Sequence, residues 1–173
     1  MNDFEQAQFR LERIESKDAI SAVAEMAKTI WFEYYVPIIG EEQVKYMTEN
    51  FQSADAIQKQ MDEEGFRYYF INTGNERIGY IAILFENGKC FLSKFYMYKK
   101  ARGGGYGKKT IKAAEVLCRA ENASHIWLTV NRDNPSLKIY TQLGFLNMGV
   151  QQKDIGDGFI MDDFLMEKKV EKV

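Results

Sequence analysis

Two cysteines, two prolines and one histidine are all that the 173 residues contain of those types, and each scarcity removes a class of protein. Cys90 and Cys118 stand far apart with no C-x-x-C spacing, so neither a disulfide framework nor a zinc knuckle is encoded, and both read as small buried hydrophobes. His125 has no second histidine to share a metal. A metal site is therefore not expected. No apolar run approaches the roughly 20 residues that span a bilayer. The start "MNDFEQAQFR" lacks the basic and apolar stretches of a signal peptide, so a cytoplasmic protein with no membrane partner is expected. Net charge is also small, at −2, which argues against a nucleic-acid partner.

Apolar matter is plentiful. Hydrophobic residues make up 46% of the chain, with 12 Phe and 10 Tyr, enough for one domain spanning residues 1–173 with its own core. The charges are segregated along it. From Asn87 to Ala114 there are eight bases and no acid; from Glu33 to Glu64 there are eight acids and two lysines. One segment attracts anions and the other cations.

The periodicity predicts a mixed α/β protein. "FRLERIE" (9–15) alternates as a first strand. Ser16 is a candidate N-cap for a helix carrying Ile20, Val23, Ala24, Ala27, Ile30 and Trp31 at helical spacing, interrupted at Pro37 and Gly40. Two short helices follow, "EEQVKYMTENF" and "ADAIQKQMDEE", the second opened by Ser53 or Asp55. From Phe66 the period changes to two. Three strands separated by "GN" and "NG" dipeptides form an antiparallel meander, with Asn87-Gly88 suited to a type I′ turn. "IKAAEVLCRAE", "HIWLTV", "NPSLKIYTQLGF" and "FIMDDFLMEKKV" then read as helix, buried strand, short helix and closing strand. Trp127 reads as core, and His125 as structural.

Four glycines fall within the five positions 103–107, between the strand ending near Tyr98 and a helix starting near Tyr106. Glycine lets a backbone approach an anion closely, and a helix N-terminus supplies unpaired N–H groups and partial positive charge. The nucleoside-triphosphate loop does not fit, since Arg102 stands where its first glycine belongs and Lys109 where its hydroxyl belongs. The dinucleotide fingerprint fails because its third glycine would be Lys108. What fits is Arg-x-x-Gly-x-Gly, on Arg102, Gly105 and Gly107. Downstream, Tyr140 precedes Gly144-Phe145 as Tyr-x-x-x-Gly-Phe.

On these two motifs, their order and their spacing, the chain resembles the GCN5-related N-acetyltransferase (GNAT) family over residues 9–169. The helical stretch between the first two strands and "DDFLMEKKV" near the end resemble its PaiA-like polyamine acetyltransferase group. The resemblance implies a mixed seven-stranded sheet with a splayed central strand pair, flanked by helices. It assigns an acceptor-side insert to residues 17–64 and an acetyl-CoA-binding core to residues 66–169. Acetyl-CoA would lie in the wedge between Phe95–Met97 and Ile126–Val130, its pantetheine arm bonded to Phe95, Tyr96 and Met97. Its pyrophosphate would meet Arg102 and the N–H groups of Gly103, Gly104, Gly105, Tyr106, Gly107 and Lys108. Tyr140 would protonate the departing thiolate, unless it only caps the core. A homodimer is compatible with the resemblance.

Two departures stand out. The family's asparagine falls on Asp133 by spacing, with Asn134 as the nearest amide and Asn131 as a rival. The glutamate that many relatives carry on the first splayed strand is replaced by Ser93 and Lys94, so no general base is assigned. Glu33 through water, or Tyr96, are the candidates. The acidic and aromatic insert favours a cationic acceptor, a small primary amine such as a polyamine. The alternatives are a catalytically degenerate acetyl-CoA sensor and a transferase for protein, peptide or amino-acid amines.

Overall fold

The computed structural model describes residues 8–172. Its frame is a seven-stranded sheet in the order β1-β2-β3-β4-β5-β7-β6. β1 (Phe9–Arg13), β2 (Arg67–Thr73), β3 (Glu76–Glu86) and β4 (Lys89–Met97) pair antiparallel in succession. The β3–β4 turn is the type I′ turn that Asn87-Gly88 implied, with φ of 51° and 71°.

Between β1 and β2 lie α1 (Lys17–Ile39), α2 (Glu41–Phe51) and α3 (Ala54–Glu63). Ser16 caps α1 by accepting the Ala19 N–H, and Ser53, not Asp55, caps α3 by accepting from Ala56. Contrary to expectation, Pro37 does not interrupt α1. It lies in the final turn, where its ring removes one bond from the helix ladder, and the helix stops only at Gly40 (φ 85°), whose N–H donates to Val36.

After β4 a short 3₁₀ turn leads to α4 (Tyr106–Ala120), which crosses to β5 (His125–Asn131). This is the sheet's parallel pair. α5 (Leu137–Gln142) precedes a hairpin of β6 (Leu146–Gly156) and β7 (Phe159–Lys169), β7 lying antiparallel beside β5. β6 was not singled out by periodicity. It is an edge strand, exposed along almost its whole length, with register shifts between Asn147 and Gly149 and between Asp154 and Gly156 that disturb alternation.

Each face of the sheet carries a core. Ile81, Ile83, Cys90, Leu92, Ile126, Leu128 and Val130 pack with Ile111, Ala114 and Cys118 of α4. Tyr68, Phe70, Tyr80 and Ala82 pack with Val23, Ala27, Ile30 and Trp31 of α1 on the opposite face. Cys90 and Cys118 meet in the first core as the apolar residues anticipated, and the Cys90 thiol is pushed up by Cys118 and by burial.

Candidate functional site

β4 and β5 pair only at Cys90–Ile126 and Phe91–Trp127. Beyond those residues their facing edges have no ladder partner, and the gap opens toward Phe95–Met97 on one side and Leu128–Asn131 on the other. A register shift in β4 helps to shape it: Ile83 pairs with Leu92 but Ala82 with Lys94, so Ser93 is the extra residue. The bulge changes the phase of the strand. Before it, Cys90 and Leu92 face α4; after it, Phe95 and Met97 take that face, while Lys94 and Tyr96 turn to the helical insert.

The gap continues into a cavity of about 630 Å³. Trp31 and Tyr35 of α1, Phe51 of α2 and Tyr96 of β4 line it, and so do Phe95, Asn131, Asn134 and Tyr140. Trp31 stacks on Tyr35 at 4.4 Å and meets Tyr96 edge-on at 5.2 Å. Trp127 is not a core residue as expected. It stacks on Phe91 at 4.0 Å, and both face the cavity.

At the end of β4 where the gap opens, the chain passes through Arg102 into the glycine turn. The Arg102 guanidinium donates from Nε and Nη2 to the Met97 carbonyl at 3.1 and 3.0 Å, and lies 4.5 Å from the centre of the Tyr34 ring. It ties the loop to the strand. Gly103 and Gly105 have φ of 81° and 77°, which L side chains rarely adopt, and Gly105 is the N-cap of α4 with no side-chain cap. The first bond at the head of α4 is Lys109 N–H to Gly105 at 3.4 Å, so the N–H groups of Tyr106, Gly107 and Lys108 lack intrahelical acceptors. A Cβ at Gly103, Gly105 or Gly107 would meet nothing within 4 Å, whereas one at Gly104 would strike the Tyr106 ring at 2.9 Å. The turn is an open cradle of backbone donors.

The basic stretch is less available than its composition suggests. Lys89 is paired with Glu167 at 2.7 Å, Lys100 with Glu76, and Lys94 is buried. Lys99, Lys108, Lys109 and Lys112 are not in ion pairs with described residues. Two of these, Lys108 and Lys109, sit in the first turn of α4.

Of the three candidates for the asparagine position, Asn134 and Asn131 line the cavity, and Asn134 is the buried one. It is 6% exposed; its Oδ1 accepts from the Tyr34 hydroxyl at 2.7 Å and the Ser136 N–H at 2.8 Å, and its Nδ2 donates to Tyr35 at 3.3 Å. Asn131 lines the cavity, its side chain accepting the Asp133 N–H at 2.9 Å. Asp133 is exposed and lines no part of it. Tyr140, on α5, packs edge-on against Phe145 at 5.7 Å and tilts against Phe95 at 6.4 Å. Burial holds its phenol well above the usual range.

The two candidate bases fare poorly. Glu33 is exposed on α1 and does not line the cavity. Tyr96 does, but burial pushes its phenol far up, so the phenolate it would need is not populated. The acids of the insert face solvent too; of the eight, Glu64 alone reaches the rim. A buried charge that the sequence reading passed over is Lys94, 6% exposed. Its Nζ donates to Gln60 Oε1 at 2.6 Å and to the Tyr68 hydroxyl at 2.5 Å. Burial brings its pKa down to about 7, with Glu64 opposing.

Lys94 therefore costs stability at neutral pH. An unfolded lysine holds its proton up to about pH 10.5, whereas the folded one releases it near pH 7. Between those values the unfolded state binds more protons, so the penalty is full below pH 7 and fades as pH rises to 10. Lys94→Met keeps the 2.5 Å Tyr68–Gln60 bond and is expected to raise Tm at pH 7 by roughly 5–10 °C, a few kcal/mol. Thermal scans at pH 7 and pH 10 check this. A variant less stable than wild type at pH 7, or a gain independent of pH, contradicts it.

A parallel strand pair parted past its first residues, a glycine turn at the head of the crossover helix, and a cavity rich in aromatic side chains behind the gap define an acyl-group transferase of the acetyltransferase class. The model of the acetyltransferase (GNAT) family matches residues 24–145, and the chain belongs to that family. Among solved structures, the PaiA N-acetyltransferase of Thermoplasma acidophilum in complex with coenzyme A is 20% identical, with a TM-score of 0.77 over 94% of this chain and 99% of that one. A GCN5-related N-acetyltransferase from Rhodopseudomonas palustris is 14% identical, with a TM-score of 0.77 over 97% and 99%. A spermidine N-acetyltransferase SpeG chimera of Vibrio cholerae and hSSAT is 16% identical, with a TM-score of 0.66 over 94% and 95%. At these identities the likeness is one of fold.

Proposed function

We propose that the protein transfers the acetyl group of acetyl-CoA directly to a small primary amine of the polyamine class. The observation that carries this is the placement of three features along β4: the gap beside Phe95–Met97, the cavity lined by Phe95 and Tyr96, and the cradle at Gly103–Lys108 that follows the strand. The gap exposes backbone groups that an amide-bearing pantetheine arm could satisfy as a substitute strand. The cradle fits a diphosphate, because its three unpaired helix N–H groups and the space at Gly105 and Gly107 are what close approach of an anion requires. Acetyl-CoA supplies the activated acyl group. The chain supplies position: it aligns the two reactants, polarises the carbonyl with a backbone N–H of β4, and gives a proton to the leaving sulfur from Tyr140. The 630 Å³ cavity lies within the range of small-molecule sites.

Support for a cationic acceptor comes from the cavity rather than from the insert's overall acidity. The rings of Trp31, Tyr35, Phe51 and Tyr96 present π faces, and Glu64, Asp154 and Asp163 contribute negative charge against Lys94 and Lys153. The spermidine N-acetyltransferase neighbour acts on an acceptor of this kind, and the coenzyme A complex of the PaiA neighbour supports the acyl donor. A panel of spermidine, spermine, amino acids, aminoglycosides and peptide amines, with acetyl-CoA and a free-thiol readout, tests the reading. Polyamines are expected to lead in kcat/KM by about tenfold or more at low salt, with the margin shrinking as salt rises. Equal rates for uncharged amines or peptide N-termini overturn the choice of acceptor. Saturable CoA binding without thiol release for any amine would mark a sensor instead.

A further inference from the structure

We propose that Asp163 receives the proton of the acceptor amine, filling the role for which β4 offers no glutamate. This rests on the acetyltransferase reading above and deepens it.

The placement follows from register. On β7, Asp163 lies opposite Asn131 of β5 and Gln151 of β6. Met161, which packs against the core of the helical insert, is two residues away on the same face, and Thr129 and Asn131 of β5 share that face and line the cavity. Asp163 lines it as well. The carboxylate thus stands one strand beyond the edge at which β5 leaves β4.

Its surroundings set it apart from an ordinary structural acid. Asp163 is 6% exposed, and acids so buried are normally paired with a cation. Its chain neighbour Asp162 has Arg132 at 3.3 Å. The Thr129 hydroxyl stands beside Asp163 and favours its charged form, and among the described residues no cation lies within ion-pair distance. An acid that is buried, unneutralised and facing a cavity fits a positively charged ligand group better than it fits the fold.

The groups around it reinforce this. Asp162 adds negative charge from β7 itself, partly balanced by Arg132. Tyr96 of β4, Tyr140 of α5 and Tyr35 of α1 face the same space, and burial keeps all three phenols protonated. On β6, Lys153 and Asp154 are exposed at the cavity mouth with opposite signs. Lys94 and Glu64 lie toward α3, where Lys94 is bonded to Gln60 and Tyr68. Burial brings Asp163 up to about 6, with Thr129 opposing, so it is ionised at pH 7 and weakly basic. Burial raises Tyr140 as well, so its phenol keeps its proton as a donor. A carboxylate ionised at pH 7 and a phenol that is not give the cavity both a base and an acid.

The step balances. The amine enters protonated, hydrogen-bonded to the Asp163 carboxylate, and one proton passes to Asp163. The nitrogen lone pair then forms a bond to the acetyl carbon, and the carbon–sulfur bond breaks. The sulfur leaves with the Tyr140 proton as the thiol. The second proton that the nitrogen sheds as the amide forms returns to Tyr140 through water, and Asp163 releases its own to solvent past Gln151. The products are the acetamide, the thiol and one proton, the last being the one that the ammonium carried in.

Asp163→Asn tests the proposal because it keeps size and a hydrogen bond to Thr129 but cannot take a proton. With spermidine, or the panel's fastest amine if that is another, kcat/KM at pH 8 is expected to fall about 10²- to 10³-fold. The wild-type inflection near pH 6 should vanish from its pH profile. Calorimetric CoA affinity should stay within about twofold, and Asp163→Glu should restore the inflection. A carbon-13 titration of the Asp163 carboxyl, which needs no acceptor, should give an ionisation near pH 6. An Asp163→Asn profile like that of wild type, or a carboxyl ionising near pH 4, overturns the proposal and leaves the transferase reading intact. Wild-type protein that releases no thiol with any amine overturns both.

Discussion

Tyr140→Phe is expected to lower kcat about 10²- to 10³-fold while leaving CoA affinity within about twofold. The side chain is fixed without its hydroxyl. The Tyr140 N–H donates to Ser136 at 3.0 Å, its carbonyl accepts from Phe145 at 3.0 Å, and its ring is packed by Phe145 and Phe95. The hydroxyl has no hydrogen-bond partner among the described residues and faces the cavity. Removing it therefore leaves the fold almost untouched, with Tm within about 2 °C. Its effect falls on the leaving group. Burial raises the phenol and makes it a weaker acid, but a thiolate released in the same buried space is raised by the same cause, so the match between donor and acceptor survives. The cost should appear in kcat, and no basic limb from Tyr140 should appear below pH 10. A Tyr140→Phe enzyme with wild-type kcat would reduce Tyr140 to a packing residue.

The second large effect is a change of opposite sign in two properties. Gly107→Ala should stabilise the free protein and weaken CoA. Position 107 is in the first turn of α4 with no positive φ, and an added Cβ meets nothing within 4 Å. Alanine there gains about 0.5–1 kcal/mol of helix preference, or roughly 1–4 °C in Tm. The same open space is where an anion would approach the helix N–H groups. A methyl group in it should weaken CoA about 10- to 100-fold, roughly 1.4–2.8 kcal/mol. Thermal melting with calorimetry reads both changes. Gly105→Ala is the comparison, since φ of 77° makes it lose stability as well. Unaltered CoA affinity in Gly107→Ala would mean that the phosphates lie elsewhere.

What could be read in advance divides along physical lines. The meander, the Asn87-Gly88 turn, both serine caps and the glycine cradle were legible because each is decided by local chemistry: alternation, positive φ, an N-cap oxygen. Pro37 misled because the consequence of a proline depends on how many helical bonds follow it, and here the helix ends two residues later. β6 escaped because an exposed edge strand has no buried face to impose a period. The insert's acids were visible, but their direction was not; helical inserts place charge outward unless a pocket draws it in, and only Glu64 reaches the rim.

The most informative residues were the two that break an apolar pattern within a strand. Lys94 interrupts "FLSKFYM", and Asp163 interrupts the Met161–Leu165 alternation. Either could have been flagged as a charge at a position destined for burial. The bulge at Ser93 decides which face Lys94 takes, and the neighbouring Asp162 hides which acid of "DD" points inward. Both questions needed the sheet register.

The central claim is that backbone, in the cradle and along the parted strands, holds the coenzyme. Titrating nitrogen-15-labelled protein with CoA and following its amide resonances tests this most directly. Large shifts are predicted at Gly103–Lys108 and along the facing edges of residues 93–97 and 128–131, with the outer strands β1 and β2 unmoved. Shifts that leave Gly105, Gly107 and Lys108 in place, or a spectrum indifferent to CoA, would contradict it.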